Sequence, residues 1–271
     1  MQKAQIMIKK RIICIVQARM SSKRLPVKIL LPGYNKPLLL HTVERLRRSK
    51  KIKDVIIATT TLKIDDVIFD LCKKNKINVF RGHPSNLLDR YYKCAKKFKS
   101  DIIVRITSDC PLIDCEIVDS VIKKFQNKDI DYCSNMHPPS FPDGFDVEVF
   151  TFDSLKKTFL QAKKNFQKEH VTPYIWDNPS KFRLSNFNTL FKRKYYEKYR
   201  LTLDYKEDYY VIWKIYLELY QKKKFFKFKD IINMLQKKPE ILINRKLIKD
   251  NWYKNHYKEL NTISIKDTKV N

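Results

Sequence analysis

An apolar run that stops abruptly in a basic loop constrains this chain more than any other feature. Ile12-Ile13-Cys14-Ile15-Val16 leads into Gln17-Ala18-Arg19-Met20-Ser21-Ser22-Lys23-Arg24-Leu25-Pro26-Val27-Lys28. A short apolar run with polar flanks fits a strand buried on both faces, as in parallel α/β sheets. In such sheets ligands bind at the carboxyl ends of the strands. The loop thus brings two arginines, two lysines and two serines to a crevice. Arg19 and Arg24 can fork onto phosphate oxygens, and Lys28 can act as a point charge. The loop matches neither G-x-x-x-x-G-K-[ST] nor G-x-G-x-x-G, so side chains must hold phosphate, with some help from loop N–H groups. A basic surface loop after a core strand is the plainer reading of the same residues.

The first half of the chain alternates strand and helix. Strands are expected over 12–17, 54–59, 77–80 and 101–106, and helices over 37–49, 65–75, 86–98 and 115–126. This rhythm implies a parallel sheet with crossover helices. Asp65-Asp66 opens one helix, where negative charge suits the N-terminus. From about residue 130 the rhythm changes. Tyr132–Asn135 runs into an extended loop at His137-Pro138-Pro139, and Pro142-Asp143-Gly144 signals a turn. Asp146–Phe150 alternates as a strand does. Helices near 153–163 and 168–177, strands near 181–187 and over 200–203, and a helix over 206–220 complete the pattern. We expect one domain over 1–240, elaborated at 130–180, and a C-terminal helical extension and tail over 241–271.

The formal charge of +28 points first to nucleic acid or an anionic surface. Lysine outnumbers arginine, however, and is scattered in pairs such as Lys73-Lys74, Lys96-Lys97 and Lys123-Lys124, which suits solvated helix faces. Nucleic acid is not the expected partner. Lys222-Lys223-Lys224 beside Phe225-Phe226 is the one basic-aromatic patch. The six cysteines form no C-x-x-C pair, which argues against zinc and for small core residues. No apolar stretch approaches the roughly 20 residues of a membrane span, and a reducing cytoplasm is the expected compartment.

Two further segments carry carboxylates to strand ends. In Arg105-Ile106-Thr107-Ser108-Asp109-Cys110-Pro111-Leu112, Pro111 stops the strand and Asp109 emerges near the basic loop, placed for Mg²⁺. Asp114 reads as a helix cap. In Arg200-Leu201-Thr202-Leu203-Asp204, Asp204 reads from its local context as an N-cap completed by Glu207 in a capping box.

Taken together these residues resemble the cytidylyltransferase superfamily, which includes the CMP-sialic acid and CMP-KDO synthetases, and most of all its spore-coat-polysaccharide branch. Gln17-Ala18-Arg19-x-x-Ser22-x-Arg24-Leu25-Pro26-x-Lys28 is similar to its N-terminal signature. Arg105–Leu112 is similar to R-x-T-x-D-C-P-L, and Arg200–Asp208 to R-x-T-x-D-T-P-E-D with Tyr205-Lys206 for Thr-Pro. Asn86–Tyr92, Phe141–Glu148 and Lys168–Tyr174 resemble V-L-D-R-Y-Y, F-P-D-G-x-D-V-E and R-E-H-V-T-P-Y, so the likeness runs in order from residue 12 to about 210.

The resemblance implies a three-layer α/β fold of the nucleotide-diphospho-sugar-transferase, Rossmann-like type, with a mostly parallel mixed sheet. It implies transfer of CMP from CTP to an acidic sugar or related acceptor, with release of pyrophosphate, for surface polysaccharide or glycan synthesis. Nucleotide contacts are implied for Gln17, Ala18, Arg19, Ser22, Arg24, Lys28, Arg105, Thr107 and Asp109, of which Arg19, Lys28 and Asp109 are catalytic. The acceptor falls to Arg90, Asp143, Glu148, Glu169 and His170, with Arg105 nearby. Mg²⁺ is the implied cofactor, on Asp109 and Asp204. A homodimer through 130–180 is also implied. The family's usual glycines are replaced by Ser21 and Val27, and stiff, β-branched Val27 should keep the loop from closing as tightly on phosphate. Two neighbouring readings are a nucleotide-sugar-dependent glycosyltransferase and a phosphonate or polyol-phosphate cytidylyltransferase. The absence of a D-x-D motif at Asp109-Cys110-Pro111 counts against the former.

Overall fold

A computed structural model describes residues 10–127, 129–188 and 195–249, with Lys258. Elements in chain order are β1 (Ile12–Gln17), α1 (Leu38–Leu46), β2 (Asp54–Thr60), α2 (Asp66–Lys74), β3 (Asn78–Gly82), α3 (Leu87–Lys97), β4 (Ile102–Thr107) and α4 (Cys115–Gln126). They continue as β5 (Tyr132–Ser134), β6 (Glu148–Thr151), α5 (Phe152–Gln161), α6 (Asn165–His170), α7 (Pro173–Trp176), β7 (Leu184–Asn186), α8 (Tyr195–Lys198), α9 (Lys206–Leu219) and α10 (Phe228–Lys237).

The strands form one sheet in the order β3-β2-β1-β4-β6-β5-β7. β1, β2, β3 and β4 run parallel, and β6 is antiparallel to both of its neighbours. The sheet is thus mixed and mostly parallel. β1 is central and its residues alternate between two cores. Ile12, Cys14 and Val16 pack into one, Ile13 and Ile15 into the other. Burial on both faces is why the apolar run is continuous rather than alternating. Chain order reverses between β1 and β4, so their carboxyl ends flank the crevice where α/β sheets bind ligands.

The first-half expectations hold to within a few residues, and the second half, besides the unexpected short helix α8, departs in four places. The helix expected over 168–177 is two short helices. Val171 stands at φ 72°, ψ −59°, and the Thr172 N–H donates to the His170 carbonyl at 2.9 Å, a γ-turn of the strained hand. Pro173, with no N–H, then starts α7. The strand expected over 200–203 is a non-strand segment with one bridge, Asp143 to Arg200, because its neighbours are loops. The strand expected from Asp146 starts at Glu148, which frees Asp146 to face the cavity. Finally, α10 had not been expected, although Phe228, Ile231, Ile232 and Leu235 have helical spacing and are buried. Asp114 ties it down, accepting N–H from Glu116 at 2.9 Å, as the expected cap of α4, and from Phe228 at 2.8 Å.

The basic-aromatic patch turns its rings inward. Phe226 is buried under Arg45, and Arg48 lies 3.9 Å over Phe225. Beyond residue 240 the chain stays with the same body, since Ile241 and Leu242 join the core of β1 and Asn244 is buried. The remainder of the expected tail lies outside the described residues, Lys258 apart. Among the described residues no helix is long and apolar enough to cross a membrane.

Candidate functional site

A cavity of about 560 Å³ opens at the carboxyl ends of β1 and β4. Every sequence-derived site residue lines it: Gln17, Ala18, Arg19, Ser22, Arg24 and Lys28 from the basic loop, Arg105, Thr107 and Asp109 from β4 and its exit. Arg90, Asp143, Glu148, Glu169, His170 and Asp204 complete the set.

The loop reaches the cavity because it is pinned beneath. Ala18 N–H extends the β1 pairing by donating to Ala58 O at 3.1 Å. Asp65, fully buried, makes no side-chain cap to α2. Its carboxylate instead accepts the Met20 N–H at 2.7 Å and the Thr60 hydroxyl. The loop ends at Val27, which takes φ 52°, ψ 14°, the left-handed region that favours glycine. The 3₁₀ turn Lys28–Leu30 follows and sends the Lys28 side chain across the cavity.

Lys28 Nζ donates to Asp204 Oδ1 at 2.8 Å, Leu203 O at 2.8 Å and Asp109 Oδ2 at 3.3 Å. Burial alone would lower its pKa, but the two carboxylates outweigh this and hold the ammonium above its ordinary value. Asp204 shows the converse. Burial favours its neutral form, yet Lys28 and Arg24, the latter at 2.7 Å, keep it below the usual carboxylate range. Asp204 therefore does not cap α9. That part belongs to Asp208, which accepts the N–H groups of Asp204 and Tyr205 at 3.1 Å each. The expected capping box of Asp204 with Glu207 is not formed, because the Asp204 carboxylate is drawn to cations across the cavity.

Segment 200–204 is stitched to both other acidic loops. Leu203 N–H donates to Asp109 O at 2.9 Å, and Leu201 N–H to Asp143 O at 2.8 Å. Gly144, at φ 106°, makes this approach feasible, since a Cβ there would lie 2.3 Å from the Leu201 carbonyl. Buried Arg200 then spans the acids, with Nη1 on Asp143 at 3.1 Å, Nη2 on Asp204 at 3.4 Å and Nε on Asp208 at 3.1 Å. Desolvation, only partly opposed by Arg200, raises Asp143 to about 6, and desolvation with the neighbouring Asp143 charge pushes Asp146 well up.

At the other end, Arg105 pairs with Glu148 directly across β4 and β6. Burial opposes ionisation of Glu148, but Arg105, the Thr172 hydroxyl and Tyr132 together hold it below its ordinary value. Its oxygens are thus engaged by protein. Arg90 is similarly occupied, donating to His83 O and Pro84 O and so bracing the loop before α3. Glu169 is exposed at the rim and His170 half-buried. Sequence reasoning assigned no role to Asp146, His137, Thr172, Trp176 or Arg200. His137 and Trp176 stack at 4.1 Å in the cavity wall. Asp146 and Arg200 lay within matched segments, whereas Trp176 carried no local signal.

Asp109 and Asp204 face one spot, now held by the Lys28 ammonium, and Asp143 and Asp146 line the same cavity. All are hard oxygen donors, the chemistry of Mg²⁺. Among the described residues no three His, Cys, Asp or Glu side chains form a complete metal cage. The donor set fits Mg²⁺.

The family model described as cytidylyltransferase matches residues 13–248. A protein of Methanocaldococcus jannaschii described as uncharacterized is 40% identical over 257 residues, 92% of this chain and 99% of that one. The spore coat polysaccharide biosynthesis protein SpsF of Bacillus subtilis is 35% identical over 202 residues, 73% of this chain and 83% of the relative. The structure of a cytidylyltransferase from Leptospira borgpetersenii serovar Hardjo-bovis superposes with a TM-score of 0.82 at 36% identity, covering 87% of this chain and 98% of that one.

Proposed function

The chain belongs to the cytidylyltransferase family, CTP-dependent nucleotidyltransferases, and from that premise we propose that it transfers CMP from CTP to a small acidic sugar or related acceptor for surface polysaccharide synthesis. An acceptor hydroxyl attacks the α-phosphorus of CTP, the bond to the β-phosphate oxygen breaks, and pyrophosphate leaves. Such chemistry needs positioning and charge neutralisation above all. Arg19, Arg24 and Lys28 hold the triphosphate, with Gln17, Ala18, Ser22, Thr107 and Arg105 around the nucleotide. Asp109 and Asp204 hold Mg²⁺, which when bound neutralises charge on the phosphates. Arg90, Asp143, Glu148, Glu169 and His170 shape the acceptor end.

The observation that carries this reading is Lys28 meeting Asp109 and Asp204 at a single spot from segments far apart in the chain. The role in surface polysaccharide synthesis finds support in the likeness to the spore coat polysaccharide biosynthesis protein SpsF. Self-association through 130–180 belongs to the same proposal, where Leu160 is 69% exposed on α5, and sedimentation tests it. So does a reducing, cytoplasmic compartment, supported by six free thiols.

Pyrophosphate release with CTP, ATP, GTP and UTP, each against a panel of acidic sugars and phosphonates in the presence of Mg²⁺, tests the proposal. CTP should give turnover with one acceptor class and raise Tm more than the other three nucleotides do. Equal stabilisation by all four, with no turnover, would sink it.

A further inference from the structure

Behind the acidic side of the cavity lies a residue from the C-terminal segment that touches nothing in the cavity itself. Asn244 is buried between the 3₁₀ turns Pro239–Ile241 and Arg245–Lys249. Its Nδ2 donates to Arg200 O at 3.0 Å and to Asp208 Oδ1 at 2.8 Å. Asp208 Oδ1 also accepts from Arg200 Nε at 3.1 Å, while Oδ2 takes the N–H groups of Asp204 and Tyr205. Arg200 carries the constraint forward, Nη1 to Asp143 and Nη2 to Asp204. Arg200, Asp208 and Asn244 are 3%, 0% and 1% exposed, so the relay is dry until it reaches the two cavity carboxylates.

A buried ion pair keeps one geometry only when hydrogen bonds fill the lone pairs that its partner leaves over. For Asp208 those bonds come from two backbone N–H groups and Asn244. The other end of the same amide is unrewarded, for Asn244 Oδ1 has no hydrogen-bond partner among the described residues. An unpaired buried carbonyl costs free energy, and an apolar side chain of this size would avoid that cost. The donor end is what the site uses.

We propose that Asn244 is a positioning residue: it fixes Asp208, and through Arg200 it fixes the Asp143 and Asp204 carboxylates relative to Asp109. The inference rests on reading Asp109 and Asp204 as the Mg²⁺ pair. It extends the nucleotide site to a segment that the sequence marked as an appendage.

Titration of Mn²⁺ into the full-length protein with CTP, by calorimetry, tests it, beside CTP affinity without metal. Asn244→Leu removes the donor at similar volume. Leu242→Ala loosens the same segment through its apolar anchor and leaves the relay alone. Asn244→Leu should weaken Mn²⁺ about tenfold, the scale of losses when a ligand's supporting partner is removed, with metal-free CTP affinity changed less than about twofold. Leu242→Ala should lower Tm and leave Mn²⁺ affinity within about twofold of wild type. Wild-type Mn²⁺ affinity in Asn244→Leu, or an equal loss in Leu242→Ala, overturns the inference. Should Asn244→Leu not fold, Asn244→Ala, which also removes the donor, is read against the same limits. A wild-type protein that binds CTP without any Mn²⁺ site overturns the metal assignment as well, which separates the two failures.

Discussion

The two sides of the cavity are built on opposite principles. On the basic side, Arg19, Lys23 and Arg24 stand on an exposed loop, and the Arg24 side chain is 46% exposed. On the acidic side, Arg200 is 3% exposed and ties buried Asp208, mostly buried Asp204 and half-exposed Asp143 in one network. Exposed charges are screened and hold their positions weakly, whereas a fully hydrogen-bonded buried network holds one arrangement. The acids are therefore set in place by folding, while the cations are left for an anionic ligand to order. Lys28 belongs to both sides, rooted in the loop and seated among the acids.

If the acids are the pre-ordered half, removing one should hurt most. Asp109→Asn should lower kcat on the order of 100-fold or more with the fold intact, because a carboxamide is a poor Mg²⁺ ligand and the charge lost acts on the transition state. Asp204→Asn should do the same and also lower Tm, since it leaves Lys28 and Arg200 short of a counter-charge. Wild-type rates for both at limiting Mg²⁺ would abolish the distinction between the two sides. Next in size, Lys28→Ala should reduce kcat/KM for CTP about tenfold or more at fixed ionic strength. Lys73→Ala and Lys123→Ala, on exposed helix positions, should be near neutral. Three equal losses would mean that overall charge, not position, binds the nucleotide.

Protonation separates buried from exposed groups in another way. His41 is buried against Tyr216, and burial first, then Lys36, Arg45 and Lys224, lower its pKa to about 3. Between about 6.5 and 3 the unfolded chain binds the proton and the folded chain does not, so stability rises with pH and is lost as pH falls through that window. Relative to His41→Phe, wild-type unfolding free energy should fall by up to about 1.4 kcal/mol per pH unit there. Parallel pH profiles for the two proteins would contradict this. The smallest effect concerns the loop itself. Val27 is 44% exposed and left-handed, so Val27→Gly should raise stability by about 1 kcal/mol in denaturant unfolding without weakening CTP binding. A weaker CTP affinity would show that the valine's strain serves the loop.

Much of this was legible in the sequence, and the residues show why. β1 announced itself because burial on both faces makes Ile12–Val16 continuous, and its loop because cations follow at once. The same physics hid the relay. Arg200 and Asp208 close the two ends of one matched segment, but Asn244 joins them only when a remote segment packs, and no local spacing records that. The cap reading of Asp204, one of its two, fails although a carboxylate before a helix usually is a cap. What decided otherwise was Lys28, 176 positions earlier in the chain. Val171 illustrates another limit, since a turn of that hand at a β-branched residue is something only tertiary packing imposes.

The reach of Lys28 also has a bearing on how the protein is made. Its three partners lie 81, 175 and 176 positions further along the chain. Translation proceeds from the N-terminus, so β1, the basic loop and Asp109 exist well before Asp204 is synthesised. Until then the growing chain carries the cations without most of their counter-charges. Contacts of such separation close slowly. The Lys28 cluster thus cannot close during synthesis until segment 200–204 has emerged, after every strand of the sheet.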